Sequence, residues 1–280
     1  MTEQEKKPQL HYSGLDTLSR CGEQFRRRYI EKDIIPPGVA LVVGTATHRS
    51  IKKNLSHKLE SKVCLPLEQV CDEARDALVS EWDGKGVSLQ PEEAIQGVKQ
   101  VKADAIDKAV RLSRLHATEK APGLEFTHVE RSWVVELKGY PVDLAGQLDI
   151  QNGTICVRDT KTAGKSPAAS IADESDQLTA YALAVQVLEG KPPAQVALDY
   201  LIDNKTPVAK TFTSTRDDSD FRALLHRVEN AVVAIEKGVF IPARATDWWC
   251  GPKWCGYHGS CKFAKQPKSI SMTNFTGGSK

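Results

Sequence analysis

Across residues 67–82, and again across 92–115, apolar side chains return every three or four positions, the spacing of one buried helix face. Asp83-Gly84-Lys85-Gly86 and Pro91 separate the two stretches and predict two helices. Upstream, a helix carrying Cys21 is expected to end before Pro36-Pro37-Gly38, and another to begin near Thr45. From Phe126 the period shortens to two. Segments 126–137, 140–150 and 154–161, joined at Lys138-Gly139 and Asn152-Gly153, read as a three-strand meander. Asp173, Glu174, Ser175 and Asp176 then offer N-terminal caps to a helix that opens at Gln177, continues through Leu183, Val185, Val187 and Leu188, and stops at Gly190. Two more strands (195–202 and 208–213, around Asn204-Lys205) and a helix from Asp218 to about Lys237 follow. The pattern predicts an α/β fold, a mixed central sheet flanked by helices, with a helical insertion at about 56–120. No internal repeat is visible.

Composition limits this picture without changing it. A chain of 280 residues with 40% hydrophobic content can bury a full core, expected as one domain over 10–265 between disordered tails at 1–9 and 266–280. No apolar run approaches membrane-spanning length, and Met1-Thr2-Glu3-Gln4-Glu5-Lys6-Lys7 lacks an apolar signal region, so a cytoplasmic protein is expected. The formal net charge of +2 says little about nucleic acid. Local charge says more: Arg26, Arg27 and Arg28, with Arg20 and Lys32 on the same expected helix, are candidate contacts for backbone phosphates, although such runs are usually solvated faces.

Chemistry concentrates at Asp159-Thr160-Lys161, which closes the third strand of the meander. Side chains alternate along a strand, so Asp159 and Lys161 project the same way, a carboxylate beside an ammonium. Alone, such a pair reads as a surface salt bridge. Asp149, at the end of the neighbouring strand, adds a second acid, and together they suit a divalent cation. In that reading Asp149 and Asp159 hold Mg²⁺ or Mn²⁺ and the Thr160 carbonyl adds a ligand. Lys161 orients or deprotonates water or stabilises charge on a phosphate. On the next helix, Gln177 and Tyr181 stand four residues apart and share one face, where they present an amide and a phenol to the same place.

A second constellation is made of thiols. Cys250, Cys255 and Cys261 fall in one loop with Trp248, Trp249, Trp254 and Tyr257. In a reducing compartment such a loop is expected to bind a metal or cluster, with a fourth ligand from elsewhere. Zinc sites usually show two C-x2-C pairs, whereas this loop is C-x4-C-x5-C. The aromatic residues either shield that centre or stack bases. Cys64, Cys71 and Cys156 sit singly among apolar residues and are assigned no role.

The order Gly146-x-x-Asp149, Asp159-x-Lys161, Gln177-x-x-x-Tyr181 resembles the PD-(D/E)XK nuclease superfamily, in particular its RecB-type branch with an iron-sulfur cluster, as in CRISPR-associated and AddB-like nuclease domains. The resemblance implies a restriction-endonuclease-like core. It makes His48, in Gly44-Thr45-Ala46-Thr47-His48, a further metal ligand, and places an acid near the site, for which Glu130 is the candidate. It also implies Cys21 as the fourth thiolate of a 4Fe-4S cluster joining the loop at 248–263 to the N-terminal helix. The expected activity is that of a metal-dependent DNA exonuclease acting on single-stranded ends in recombination, repair or CRISPR adaptation. An endonuclease of the same superfamily and a catalytically silent DNA-binding scaffold are the alternatives. The sequence carries no Walker loop, so unwinding would fall to a helicase partner.

Overall fold

The computed structural model describes residues 7–265. They fall into two compact units, one of residues 7–16 and 36–239, the other of 17–35 and 240–265. In chain order the first elements are β1 (Gln9–His11), α1 (Tyr12–Arg20), α2 (Gly22–Phe25) with a π-helical turn over Arg26–Ile30, α3 (Val39–Ser61), α4 (Leu67–Lys85), α5 (Pro91–Gln96) and α6 (Val98–Leu115). Then come β2 (His128–Val135), β3 (Asp143–Asn152), β4 (Cys156–Ala163), α7 (Asp176–Glu189), β5 (Gln195–Ile202), β6 (Val208–Ser214) and α8 (Asp218–Glu236). No helix among the described residues is long and apolar enough to cross a membrane.

The larger unit is built on a mixed sheet. β2, β3 and β4 form the expected antiparallel meander; β4 and β5 run parallel through the α7 crossover, and β5 and β6 form an antiparallel pair. β2 lies along one edge of β3, from Leu144 to Gln151. Its other edge is shared: β1 pairs in parallel with 143–145, and β4 pairs only with 150–152. Residues 146–149 therefore have no strand beside them on that side, and the sheet forks there. At the fork Trp133 stands opposite Gly146, where an added Cβ would lie 2.6 Å from the indole, so only glycine admits the ring.

Helices cover both faces of the sheet. Val42, Val43, Ala46, Ile51 and Leu55 of α3 join Leu78 of α4 and Ala109 and Leu112 of α6 in one core, into which the sheet sends Ile150 and Leu201. On the opposite face lies α7, buried at every position from Leu178 to Val185 and capped by Ser175, whose hydroxyl accepts from the Leu178 amide.

Several boundaries differ from the sequence-based expectation. β1 already includes Gln9, within the expected tail; the expected tail at 266–280 lies outside the described residues. The helix expected through Cys21 is broken there by an extended residue (φ −160°, ψ 105°). Gly22 follows because a Cβ at that position would lie 2.5 Å from the Phe240 backbone, and its amide instead donates to Ile241 O at 2.7 Å. Arg20 and Arg26–Arg28 thus belong to different helices, and Lys32 lies beyond both with φ +58°. α3 starts at Val39, earlier than Thr45, since the solid apolar run 39–43 hides its helical period. Gly97, at φ +92°, divides the expected helix 92–115 in two.

Candidate active site

The fork gathers the acids. By the continuing register of β2 with β3, Glu130 stands opposite Asp149, and by that of β3 with β4, Asp149 stands opposite Asp159. Three acids thus form one row across three strands, and at both crossings regular pairing lapses. Glu130 is left-handed (φ +53°), a strained conformation for a residue with a Cβ and one that interrupts the ladder. α3 brings His48 to the same place: its Nδ1 lies 3.5 Å from Asp149 Oδ2. His48, Glu130 and Asp149 each offer a ligand atom within 4.8 Å of the other two. The surrounding pocket, of about 520 Å³, is also lined by Gly44, Thr45, Lys161 and Thr162.

Asp159 is 1% exposed and faces a closed polar ring. Lys161 Nζ lies 2.9 Å from Asp159 Oδ2 and donates to Gln177 Oε1 at 2.7 Å. Gln177 Nε2 donates to the Tyr181 hydroxyl at 2.9 Å, and that hydroxyl points back to Asp159 Oδ1 at 3.5 Å, the long limit of a hydrogen bond. Gln177 and Tyr181 therefore share a face, as their spacing requires, and hold the lysine and the acid in place. Thr160 contributes its amide, which donates to Asp149 Oδ2 at 3.0 Å. Strand alternation sends Arg158 to the other face, where Asp199 accepts from it at 2.7 and 2.9 Å.

The electrostatics of the row favour a cation. Burial, reinforced by the Asp159 charge, pushes the Asp149 carboxyl well above its usual range despite the Thr160 amide and Lys161. Two close buried carboxylates need a cation, and a histidine and hard oxygen donors converge where one would sit. Burial alone would lower the Lys161 ammonium, but the Asp159 carboxylate more than offsets it and the group is raised, so Lys161 stands as a cation. Burial likewise keeps the Tyr181 phenol protonated.

In the smaller unit Cys21, Cys250, Cys255 and Cys261 line one cavity together with Trp249 and Tyr257. Cys21 Sγ accepts from the Ala243 amide at 3.4 Å. Burial first, and then the neighbouring thiols, raise Cys250 and Cys255. The four aromatic residues of the loop divide: Trp249 and Tyr257 face the cavity, while Trp248 and Trp254 are exposed and meet edge to face at 5.3 Å. The candidate phosphate contacts have partners within their own unit. Arg26 is held by Glu23 and Glu31, Arg27 by Asp33 and the Tyr257 ring, and Arg28 stands 5.7 Å from the Tyr29 ring.

Arg49 and Lys52, which follow His48 on α3 and line the pocket with it, were not singled out by sequence reasoning. Their spacing from His48 on a helix was the available signal. Glu130, only a candidate from sequence, is placed among the ligand atoms by its register opposite Asp149.

No curated protein matches the chain. Among solved structures, a candidate exonuclease from Eubacterium rectale aligns at 14% identity with a TM-score of 0.54, covering 96% of this chain and 92% of that one. A protein named SSO0001 aligns at 14% identity over 95% and 90%, with a TM-score of 0.42, too low to weigh. At such identity the first likeness speaks for the fold alone. The family model of the PD-(D/E)XK nuclease superfamily matches residues 9–262, the span that holds the forked sheet, its row of acids and Lys161. With nearly the whole chain matched, this protein belongs to the PD-(D/E)XK nuclease superfamily.

Proposed function

We propose that this nuclease is a metal-dependent DNA exonuclease that works on single-stranded ends, in recombination, repair or CRISPR adaptation, and that it belongs to the RecB-type branch. The observation that carries the catalytic part is the row Glu130, Asp149, Asp159 at the fork, with His48 on one side and Lys161 on the other. His48, Glu130, Asp149 and Asp159, with the Thr160 carbonyl, would hold Mg²⁺ or Mn²⁺, which would supply Lewis acidity at the phosphate oxygens. Lys161 keeps its charge and stabilises the negative charge that grows on the phosphate. Gln177 fixes the ammonium, and Tyr181 fixes both Gln177 and Asp159. The Eubacterium rectale neighbour, itself a candidate exonuclease, agrees with this reading. A substrate already single-stranded needs no unwinding here; a duplex would need a helicase partner.

The test uses oligonucleotides labelled separately at the 5′ and 3′ ends, with a circular single strand alongside. Mg²⁺- or Mn²⁺-dependent shortening of the linear strands, lost with chelator, Asp159→Asn and Lys161→Ala, supports the reading. Cutting of the circle favours the endonuclease alternative, and binding without cleavage favours the scaffold.

We propose a 4Fe-4S cluster on Cys21, Cys250, Cys255 and Cys261, a reading that rests on the cavity these four thiols line together. The Ala243 amide aimed at Cys21 Sγ is a donor suited to a thiolate ligand. Purified protein is expected to be brown, with iron and sulfide in equal amounts, and to lose that absorbance with Cys250→Ala. A colourless protein with stoichiometric zinc overturns the cluster.

A further inference from the structure

α3 continues past His48 with a row of cations. Arg49, Lys52, Lys53 and Ser56 fall at spacings of three and four, one face of the helix, and with Glu73 they line a groove of about 340 Å³. Arg49 and Lys52 also line the active-site pocket, so groove and pocket share a wall. From His48 to Ser56 the helix rises about 12 Å, and the cations are laid out along that length.

These cations are supported from beneath. Arg49 pairs with Glu81 at 3.5 Å, Lys52 with Glu130 at 3.9 Å and Lys53 with Glu73 at 2.5 Å. In each pair the cation is far more exposed than its acid: 44% against 15%, 51% against 19%, and 59% against 18%. The acid is the less exposed member of each pair, so the charge this face offers to solvent is mainly that of the cations. Exposed pairs of this kind are weak, about 0–1 kcal/mol, and a phosphate can take the outer side of each cation.

We infer that the Arg49, Lys52, Lys53 face of α3 is the track along which the phosphodiester backbone of a nucleic-acid strand lies as it enters or leaves the fork. The inference rests on the proposed nuclease reading for its substrate class and goes beyond it in assigning the path. Each cation on the track contacts one phosphate, so its loss makes the salt dependence of binding shallower by about 0.7 for a single strand, which at 0.1 M salt is about five-fold in affinity.

The experiment is fluorescence anisotropy of a labelled single-stranded oligonucleotide in EDTA, titrated with salt, using the full chain. Arg49→Ala and Lys53→Ala are each expected to bind about five-fold more weakly at 0.1 M salt with the shallower slope, and Lys205→Ala, on the β5–β6 turn, to match the unaltered protein. Glu73→Gln frees Lys53 and is expected to bind more tightly, a gain that misfolding cannot mimic. Arg49→Ala and Lys53→Ala variants that keep affinity and slope, or a Glu73→Gln variant that binds no tighter, overturn the track. Cleavage assayed in parallel with metal separates the two ideas. Intact cleavage with unchanged binding sinks the track alone, whereas binding that follows the predicted slopes without any cleavage sinks the nuclease reading alone.

Discussion

His116 gives the sharpest quantitative expectation. It follows α6, is 1% exposed, and neither ring nitrogen has a hydrogen-bond partner. Burial lowers its pKa from the ordinary 6.5 to about 4, with the nearby Asp199 charge opposing only in part. A group that binds its proton more weakly when folded favours the unfolded chain as the pH falls. Its contribution is therefore complete above 6.5 and lost progressively as the pH drops through 4. The whole difference, 6.5 against about 4, amounts to about 3 kcal/mol. Between pH 7.5 and pH 5.0 the linkage relation gives about 2 kcal/mol of that loss. Other groups titrate too, so the measurement is a double difference: urea unfolding of the unaltered protein and of His116→Leu at both pH values. The variant is expected to lose about 2 kcal/mol less between them. It is also expected to be no less stable at pH 7.5, since it removes two buried nitrogens without partners. Equal pH dependence of the two proteins would refute the reasoning, because it would mean that the imidazole reaches water or a partner in the fold.

Two further expectations concern the fork. Gly146→Ala sets a methyl group 2.6 Å from the Trp133 ring and is expected to cost about 1–3 kcal/mol in thermal or urea unfolding. In a double-mutant cycle with Trp133→Leu that cost should shrink, and an undiminished cost would place the strain elsewhere. At Glu130, with φ +53°, Glu130→Gly is expected to be about 1 kcal/mol more stable than Glu130→Ala, while both lose cleavage. Alanine as stable as glycine would show that the left-handed backbone relaxes freely.

Particular residues show how far the sequence reaches. Asp159 and Lys161 were bound to share a face once their strand was recognised, as were Gln177 and Tyr181 once their helix was, because one period governs each element. The two pairs meet as hydrogen-bonded partners in the structure. The helix expected through Cys21 breaks for the opposite reason. Its local pattern is helical, but Gly22 must pass against the Phe240 backbone, a contact more than two hundred residues away in the chain. Gln9 looked like part of a tail because three residues carry no period, and only the parallel pairing with 143–145 makes them a strand.

By itself, then, the sequence determined the alternation of elements, the spacing that puts each candidate pair on one face, and the thiols set aside in one loop. These are local properties, fixed by backbone periodicity and residue chemistry. Tertiary structure alone decided that β4 leaves β3 at Asp149, that Glu130 turns left-handed opposite it, and that the cations of α3 are carried to the pocket's rim on acids drawn from α4 and β2. Register across strands and packing between helices join residues distant in the chain, and no period within one segment encodes which of them will meet.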